Sequence, residues 1–202
     1  GIPLKKINKQ KMNLLRKSLK LNNKNFIVST IGTIDNNRGQ EVIIESIATL
    51  KRLIPNIILL IVGSGTSLEL NRLKKIIKEK SLQSNIKLLG YREDAHDIIS
   101  ISDLIVNPVK NIESFGLVSI EAMVLKKPII SSRIGGVGEV LINKKTGLLI
   151  KPEDPVLLSK KILLLFNNKS LRMSLGKNGF DRYHKLFTIN KMCKKYYDLS
   201  VK

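Results

Sequence analysis

Short apolar runs alternate with amphipathic stretches along most of the chain. The apolar runs show no alternation with polar residues, so each predicts a strand buried on both faces of a sheet. Apolar residues at helical spacing between these runs predict helices. The predicted strands cover 25–32, 56–65, 85–90, 103–108, 128–132 and 146–150, and the predicted helices cover 41–53, 68–82, 95–102, 116–126, 154–167, 170–186 and 189–200.

The order of these elements predicts the fold class. Strands that alternate with helices indicate a parallel sheet wound by right-handed crossovers. We therefore expect an α/β fold, a Rossmann-like doubly wound parallel sheet followed by C-terminal helices. In open parallel sheets, ligands bind at the carboxyl ends of the strands. The loops expected at that edge cover 32–39, 63–67, 90–94, 108–116 and 132–138.

The composition fits one globular core in a reducing compartment. Of the 202 residues, 43% are hydrophobic and 26% are charged, and a chain of this size buries roughly 70% of its unfolded surface. A single cysteine, Cys193, excludes an internal disulfide framework. No apolar run approaches the ~18 residues of a spanning helix, and no signal-peptide core opens the chain. We expect a cytoplasmic location, with peripheral attachment to the cytoplasmic face of the membrane left open.

The formal net charge of +20 is concentrated at the two ends of the chain. Residues 1–25 hold eight Lys/Arg and no acid, and residues 155–202 hold eleven Lys/Arg and two acids. The remaining residues, 26–154, are nearly balanced. A solvated basic surface and attraction to an anionic membrane surface both fit this distribution. Nucleic-acid binding is disfavoured, because the chain has no RNA-binding aromatic signature and no zinc-finger spacing.

The stretch ESFGLVSIE at 113–121 carries the most informative chemistry. Glu113 falls in the loop after a predicted strand, Gly116 at the start of the next helix, and Glu121 in the second turn of that helix. A helix start exposes unpaired N–H groups and about half a positive charge, which suits a diphosphate. Ionised carboxylates accept hydrogen bonds and match the paired hydroxyls of a sugar or a ribose. Taken alone, the two glutamates also fit a loop acid and an exposed helix residue.

Six short motifs occur in a fixed order along the chain. They read GTIDNNRG at 32–39, VGSG at 62–65, LLGYRED at 88–94, ESFGLVSIEAM at 113–123, IGGVGEV at 134–140 and TGLLI at 146–150. Their order and spacing resemble the C-terminal, donor-binding domain of the family-4 glycosyltransferases, which have the two-domain GT-B fold, over about residues 25–200. The resemblance implies that the chain binds a nucleotide diphosphate sugar, UDP- or GDP-linked, and needs no metal and no other cofactor.

The resemblance also implies roles for individual residues. Glu113 would be the first glutamate of the family's E-x7-E motif, near the sugar, and Glu121 would be the second, on the ribose. Arg38 takes the position of the family's lysine, where a cation would neutralise charge on the departing diphosphate. The backbone of four residues would hold sugar and diphosphate, and further residues would complete the donor site. The four are Phe115, Gly116, Leu117 and Val118, and the further residues are Gly32, Thr33, Gly63, Gly65 and Arg92, the last in the loop that seats the base.

Two residues depart from the family pattern. Thr33 stands where the family usually has a diphosphate-binding arginine, so one cation is missing. Ser114 replaces the glycine of Glu-Gly-Phe-Gly, although serine resists positive φ. Another basic residue could substitute for the missing cation, or the enzyme could be weak.

A GT-B enzyme also has an N-terminal domain that binds the acceptor, and we expect the present chain to lack it. The opening GIPLKKI resembles the linker between the two domains, and the last helix resembles the segment that crosses back to the first domain. The expected organisation is a basic linker over 1–24, a nucleotide-sugar-binding domain over 25–186 and a crossover helix over 187–202. Without its partner domain, that helix should expose apolar side chains. These are Met192, Tyr196 and Tyr197.

The leading functional hypothesis is the donor domain of a retaining glycosyltransferase. It would move a hexose to a hydroxyl acceptor, a cell-envelope glycan or a lipid-linked sugar, and would be inactive without its N-terminal domain. The alternative is a non-catalytic module that binds nucleotide sugars. A third class, a basic nucleic-acid-binding protein, would show a steep salt dependence.

Overall fold

The structure is a computed structural model that describes residues 8–200, except for the side chains of Lys195 and Tyr196. The strands are β1 Phe26–Ile31, β2 Ile57–Val62, β3 Ile86–Gly90, β4 Leu104–Asn107, β5 Ile129–Ser132 and β6 Leu148–Ile150. The helices are α1 Lys9–Ser18, α2 Gln40–Leu50, α3 Ser67–Glu79, α4 Ala95–Ile101, α5 Leu117–Val124, α6 Val137–Val140, α7 Pro155–Asn167, α8 Lys169–Leu186 and α9 Ile189–Ser200.

The six strands form one parallel sheet in the order β3-β2-β1-β4-β5-β6. Counted from β1, the chain first builds outwards through β2 and β3, and then returns to add β4, β5 and β6 on the other side of β1. This order is the doubly wound one, with its direction reversal between β1 and β4. The α/β, Rossmann-like fold class predicted from the sequence is therefore confirmed.

Both faces of the sheet are buried, because successive strand residues point to opposite faces. In β1, Val28 belongs to an apolar cluster with α2, α3 and α7, and Ile27 belongs to a cluster with α1 and α4. A third cluster packs α5, α6 and α8 against β4 and β5, and the fully buried Ile105 lies in it. A buried aliphatic side chain contributes roughly 1.5–3 kcal/mol to folding, so these layers supply most of the stability.

Two helices have no counterpart in the predicted elements. Helix α1 lies within the segment 1–24, and it is capped by Asn8, whose Oδ1 accepts from the N–H of Lys11 at 3.1 Å. Only Leu15 of this helix is buried, and the ion pair between Lys11 Nζ and Asp97 Oδ2, at 2.6 Å, ties it to α4. Met12 and Leu19 pack beside Leu15 on the same cluster, but the basic and polar residues around them obscure this spacing in the sequence. Helix α6, with four residues, is too short to show a period. The predicted domain boundaries at 24/25 and 186/187 stay predictions, and the linker-like GIPLKKI lies outside the described residues.

Helix α9 carries several apolar side chains that are partly exposed to solvent. Met192 is 39% exposed and Tyr197 is 67% exposed, as the sequence predicted, whereas the Tyr196 side chain lies outside the described residues. Of the helices between residues 8 and 200, none is long and apolar enough to cross a membrane.

A glycine of helix α8 packs directly against the backbone that follows α5. A Cβ added to Gly176 would lie 2.1 Å from the carbonyl oxygen of Lys126. We expect Gly176→Ala to lower the free energy of unfolding by about 1–3 kcal/mol, because the two backbones must separate. Urea titration followed by circular dichroism measures this loss.

Gly138→Ala provides the matched control for that substitution. Gly138 also lies in a helix, and a Cβ there would meet no atom within 4 Å. Alanine is the better helix former, so this variant should be neutral or slightly more stable. Equal losses in the two variants would contradict a steric cause.

Candidate functional site

The site lies where the sheet reverses direction, between the loops that follow β1 and β4. Asn37 lies in the loop after β1, and its side chain binds the loop after β4. We term this second loop the Glu113 loop (residues 108–116). Asn37 Oδ1 accepts from the N–H groups of Asn111 at 2.9 Å and of Ile112 at 3.0 Å. Its Nδ2 donates to the carbonyl of Ile112 at 2.9 Å. This pairing fixes the two loops relative to each other.

The carboxylate of Glu113 receives hydrogen bonds from three directions. Arg38 Nη1 donates to Oε2 at 3.1 Å, and Asn107 Nδ2 donates to the same oxygen at 3.4 Å. The N–H of Gly116 donates to Oε1 at 3.1 Å. The Glu113 side chain is only 12% exposed. Since an ionised carboxylate is costly to bury without donors, these bonds hold it in one orientation at the edge of the sheet.

Two glycines support the Glu113 loop from behind. Gly135 has φ +51°, and a Cβ on it would lie 1.9 Å from the carbonyl oxygen of Glu113. A Cβ on Gly136 would lie 2.4 Å from the carbonyl oxygen of Ser114, and the Gly136 N–H donates to the Glu113 carbonyl at 3.3 Å. The Gly-Gly pair is therefore required for the backbone of residues 134–137 to pack directly on the loop.

Helix α5 begins next to Glu113 with free backbone donors. Gly116, its N-cap, adopts the left-handed conformation at φ 76° and ψ 52°. Within residues 8–200, no acceptor lies in hydrogen-bonding range of the amide N–H of Leu117 or Val118. Unpaired N–H groups at a helix start, together with the helix dipole, favour a bound anion.

A cleft of about 300 Å³ opens at the carboxyl ends of β1, β2 and β3. Its lining includes Gly32, Thr33, Gly63, Tyr91 and Arg92. A Cβ on Gly63 would lie 1.8 Å from the carbonyl oxygen of Gly32, so glycine is needed for the two loops to touch at the floor of the cleft. Tyr91 is 72% exposed and presents an aromatic surface at its rim.

Arg92 forms a two-bond ion pair with Asp94 at one side of this cleft. Its Nε donates to Asp94 Oδ1 at 2.7 Å, and its Nη2 donates to Oδ2 at 2.6 Å. The hydrogen bond to Asp94 raises the pKa of Arg92 above its ordinary value, and the hydrogen bond from Arg92 lowers the pKa of Asp94 below 3.8. The Arg92 side chain is thus held in place, with its backbone left at the cleft.

The structure brings the predicted site residues to one edge of the sheet in two groups. Arg38, Glu113 and Gly116 are joined by direct hydrogen bonds, whereas Arg92 lines the adjacent cleft. Glu121 lies half-buried in the second turn of α5. The other predicted residues lie in the same loops and at the start of α5: Gly32, Thr33 and Gly63 line the cleft, Gly65 forms a bridge with Ile34, and Phe115, Leu117 and Val118 flank Gly116.

Both departures from the family pattern can be placed. Thr33 lines the cleft, and its carbonyl accepts from Gln40 Nε2 at 2.7 Å. Ser114 is absent from the residues with positive φ, so the loop does not require glycine at that position.

Sequence reasoning missed three residues that build the site. Asn107 supports Glu113, Asn37 joins the two loops, and Tyr91 lines the cleft. Asn107 is the last residue of β4 and Asn37 lies in the loop after β1, so a polar residue at a strand end was the available signal. In the part of the chain that the structure describes, no group of three His, Cys, Asp or Glu side chains could hold a metal ion. That the chain needs no metal stays a prediction.

The reversed strand order, the cleft and the anion-accepting helix start define the class of a nucleotide-binding α/β domain. Residues 11–182 match the family described as Glycosyl transferases group 1, and the chain belongs to this family. The family resemblance inferred from the motifs is thereby confirmed.

Two curated relatives illustrate how much of a longer protein the chain represents. It is 29% identical over 189 residues to the capsular polysaccharide biosynthesis glycosyltransferase CapM of Staphylococcus aureus, covering 93% of this chain and 49% of CapM. It is 39% identical over 102 residues to the uncharacterized glycosyltransferase MJ1178 of Methanocaldococcus jannaschii, covering 50% of this chain and 29% of that protein. The chain therefore spans about half, or less, of the length of these relatives.

Two solved structures share the fold. Anabaena Alr3699/HepE in complex with UDP-glucose superposes with a TM-score of 0.90 at 23% identity, covering 98% of this chain and 55% of that one. The C-terminal domain of the glycosyl transferase group 1 protein LpcC from Francisella tularensis gives 0.79 at 23% identity, covering 91% and 95%. The second match corresponds to nearly the whole of an isolated C-terminal domain.

The lowered pKa of Asp94 makes a pH-dependent contribution to stability. Because its folded-state pKa lies below the ordinary value of 3.8, the ion pair with Arg92 stabilises the fold above that pH, and this contribution disappears as the pH falls through the folded-state value. We expect Asp94→Asn to lose about 1 kcal/mol or less at pH 7, and to lose less than that at pH 3. Urea midpoints at both pH values measure this difference.

Glu93→Gln is the control for the neighbouring charge. Glu93 is exposed and takes no part in the pair between Arg92 and Asp94. Its substitution should leave the urea midpoint unchanged at both pH values. An equal loss in Asp94→Asn at pH 7 and at pH 3 would show that the side chain stabilises the fold by packing and not by charge.

Proposed function

We propose that this chain binds a nucleoside diphosphate sugar as the donor-binding part of a retaining glycosyltransferase that transfers a hexose to a hydroxyl acceptor. The observation that carries the proposal is the Glu113 carboxylate, held by Arg38 and the Gly116 N–H beside the open start of α5. A sugar-accepting carboxylate and an anion-accepting helix start lie next to each other, as a sugar diphosphate requires. Membership of the glycosyltransferase family and the fold shared with a UDP-glucose complex support it.

In this proposal each part of the donor has its own contacts. The diphosphate lies against the N–H groups of Leu117 and Val118, and the sugar hydroxyls lie against Glu113. Glu121 accepts hydrogen bonds from the ribose hydroxyls. The base enters the cleft of about 300 Å³ and meets the backbone at Arg92. A loop backbone suits a base because its N–H and C=O groups match the base edge.

Arg38 supplies the positive charge for the leaving group. Its Nη1 is bound to Glu113, and its buried Nε has no partner among the described residues. A guanidinium has five N–H donors, so it can bind Glu113 and a phosphate oxygen together. Charge on the departing diphosphate would be stabilised by Arg38 and by the α5 dipole, and we assign no metal or other cofactor.

The acceptor and the rest of the enzyme belong to the same proposal. CapM is by its name an enzyme of capsular polysaccharide biosynthesis, which supports a cell-envelope glycan or a lipid-linked sugar as acceptor. The acceptor would bind to a second, N-terminal domain, and the exposed apolar side chains of α9 offer a surface for it. The chain alone would therefore bind the donor without transferring the sugar.

A second candidate function is a non-catalytic module that binds nucleotide sugars. Thr33 favours it, because threonine brings no positive charge to the position where an arginine is usual in the family. Sugar transfer by a protein that joins this chain to an acceptor domain would exclude this candidate. Transfer that fails there, while donor binding persists, would support it.

The clearest test is calorimetric titration of the 202-residue chain with UDP, GDP and ADP and their common sugars. We expect saturable binding to one base. Glu121→Gln should weaken binding of the free nucleoside diphosphate about 10-fold, because the ribose loses a charged acceptor. Glu113→Gln should leave free diphosphate binding within about 2-fold and remove the extra affinity that the sugar adds.

Glu79→Gln is the control for a lost helix carboxylate. Glu79 lies at the end of α3, 59% exposed, and should not alter binding of any ligand. Equal effects of Glu113→Gln and Glu121→Gln on the free diphosphate would refute the division of roles. A folded chain that binds no member of the panel would refute donor binding by this chain alone.

We further propose that the protein works at the cytoplasmic face of a membrane, and the basic ends carry this part. Lys191 and Lys194 lie exposed on α9, within the basic C-terminal part of the chain, and exposed basic side chains are attracted to an anionic lipid surface. In flotation with vesicles at low salt, we expect several-fold more protein on phosphatidylglycerol than on phosphatidylcholine. Replacing both lysines by glutamine should reduce the anionic preference at least ~5-fold, since each contributes about 1 kcal/mol.

Lys74 and Lys78 of α3 give the matched control for these charges. Both are exposed, and replacing both by glutamine makes the same change in net charge at another surface. Equal loss in the two double variants would mean that only net charge matters. Equal flotation on the two lipids would contradict the membrane placement.

A further inference from the structure

The C-terminal end of α8 supports the Glu113 loop in two ways. One is indirect, through α6, and the other is a direct contact with the loop. We propose that Arg182 and Phe187, which have no role in the site described above, are positioning residues that hold the Glu113 loop in its donor-binding shape. The inference rests on the proposed function, because it assigns how that same site is kept in order. Neither residue is expected to touch the donor.

Arg182 makes the first route through α6. Its Nε donates to the carbonyl of Val140 at 2.8 Å, and its Nη2 donates to the carbonyl of Glu139 at 2.6 Å. These are carbonyls at the end of α6, which have no helical partner, and a guanidinium can bind two of them with its planar fork. Since α6 begins directly after Gly135 and Gly136, Arg182 fixes the segment on which the Glu113 and Ser114 carbonyls rest.

Phe187 makes the second route by aromatic contact. Its ring meets the ring of Phe115, inside the Glu113 loop, edge to face, with centroids 6.1 Å apart and an angle of 81°. This geometry is one that aromatic pairs prefer. The guanidinium carbon of Arg182 lies 5.6 Å from the centroid of Phe187, within the range of a cation–π contact. One side chain, Arg182, thus supports both the α6 contact and the Phe187 contact.

The two routes hold opposite sides of a short segment. Residues 113 and 114 are held through α6, and residue 115 is held by Phe187. Between them and α5 lie the groups proposed to contact sugar and diphosphate. The support itself is rigid, because Tyr183, one residue after Arg182, is only 2% exposed, and Gly179 packs α8 against Met123 of α5. A shift of Arg182 or Phe187 would therefore move the loop and not the helix.

Arg172, at the other end of α8, makes contacts of the same kind as Arg182 and serves as its control. Arg172, in the first turn of α8, donates through Nη1 to the carbonyls of Leu165 and Phe166 at the end of α7. Its guanidinium carbon lies 5.3 Å from the ring centroid of Phe26, the first residue of β1. Arg172 thus has the same carbonyl and aromatic contacts as Arg182, but at the amino ends of the strands, far from the Glu113 loop. It separates a role in the site from a role in stability.

The test compares Arg182→Lys and Phe187→Leu with Arg172→Lys in the full chain, by calorimetric titration with UDP-glucose and UMP. Lysine keeps the charge and loses the fork, and leucine keeps an apolar side chain and loses the ring. We expect the two site variants to bind UDP-glucose at least ~5-fold more weakly, while UMP, which lacks the sugar and the second phosphate, changes less than about 2-fold. Arg172→Lys should leave both affinities within about 2-fold, and Phe187→Tyr should restore UDP-glucose binding.

Equal weakening of UDP-glucose and UMP, or an Arg172→Lys variant as weak as Arg182→Lys, would overturn the positioning role. A second measurement does not depend on ligand: amide hydrogen exchange across residues 113–118 of the free protein. Exchange should accelerate at least ~5-fold in Arg182→Lys and Phe187→Leu and stay unchanged in Arg172→Lys. Unchanged exchange in the site variants would refute the inference, whereas a wild type that binds no nucleotide would refute only the proposed function.

Discussion

The reversal of strand order between β1 and β4 is the constraint on which the rest of the structure depends. These two strands are neighbours in the sheet, but the helices that follow them, α2 and α5, lie on opposite faces. The chain therefore leaves β1 and β4 towards opposite faces of the sheet, and Asn37 joins the two loops just beyond the strand ends, at the edge where open parallel sheets bind ligands. Arg38 and Glu113 are 75 positions apart in the sequence and meet only because of this reversal. A sheet that added its strands in one direction would carry the same motifs without joining them.

The electrostatics of this site reconcile a carboxylate with an anionic ligand. Glu113 carries a negative charge next to the place proposed for a diphosphate, which would repel it in isolation. Arg38, Asn107 and the Gly116 N–H offset that charge from the side of the protein. The N–H groups of Leu117 and Val118 are left for the ligand. In the proposed complex Arg38 would therefore serve both Glu113 and the diphosphate, and Thr33 would add no second positive charge.

The local pattern of apolar residues predicted most of the strands and helices. The differences between prediction and structure concern one strand end and two helices. The continuous apolar runs predicted each strand, but the predicted strand 56–65 included Gly63, Ser64 and Gly65, which turn the chain after the end of β2 at Val62. Helix α1 was missed although Met12, Leu15 and Leu19 recur at helical spacing and pack on one cluster, because basic and polar residues fill most of the positions around them.

For the site, sequence could predict residues but not their contacts. Glu113, Gly116 and Arg38 stood out because their types suit a sugar diphosphate at the end of a parallel strand. That Glu113 caps the N–H of Gly116, or that Asn107 supports it, depends on side-chain directions that spacing does not fix. Arg182 and Phe187 carried no signal at all, since an arginine and a phenylalanine in a basic amphipathic helix are ordinary surface and packing residues.

Helix α8 also sets the spacing between two arginine side chains that each bind another helix. Arg172 lies in the first turn of α8 and Arg182 in its last turns, and the ten-residue step from one to the other spans about 15 Å along the helix. Insertion or deletion of one residue would rotate one arginine by about 100° relative to the other. Either arginine could then keep its carbonyls only if the other lost them. The spacing within this helix is therefore fixed by two separate points of attachment, and such a domain would accept substitutions at the exposed positions of α8 more readily than a change in its length.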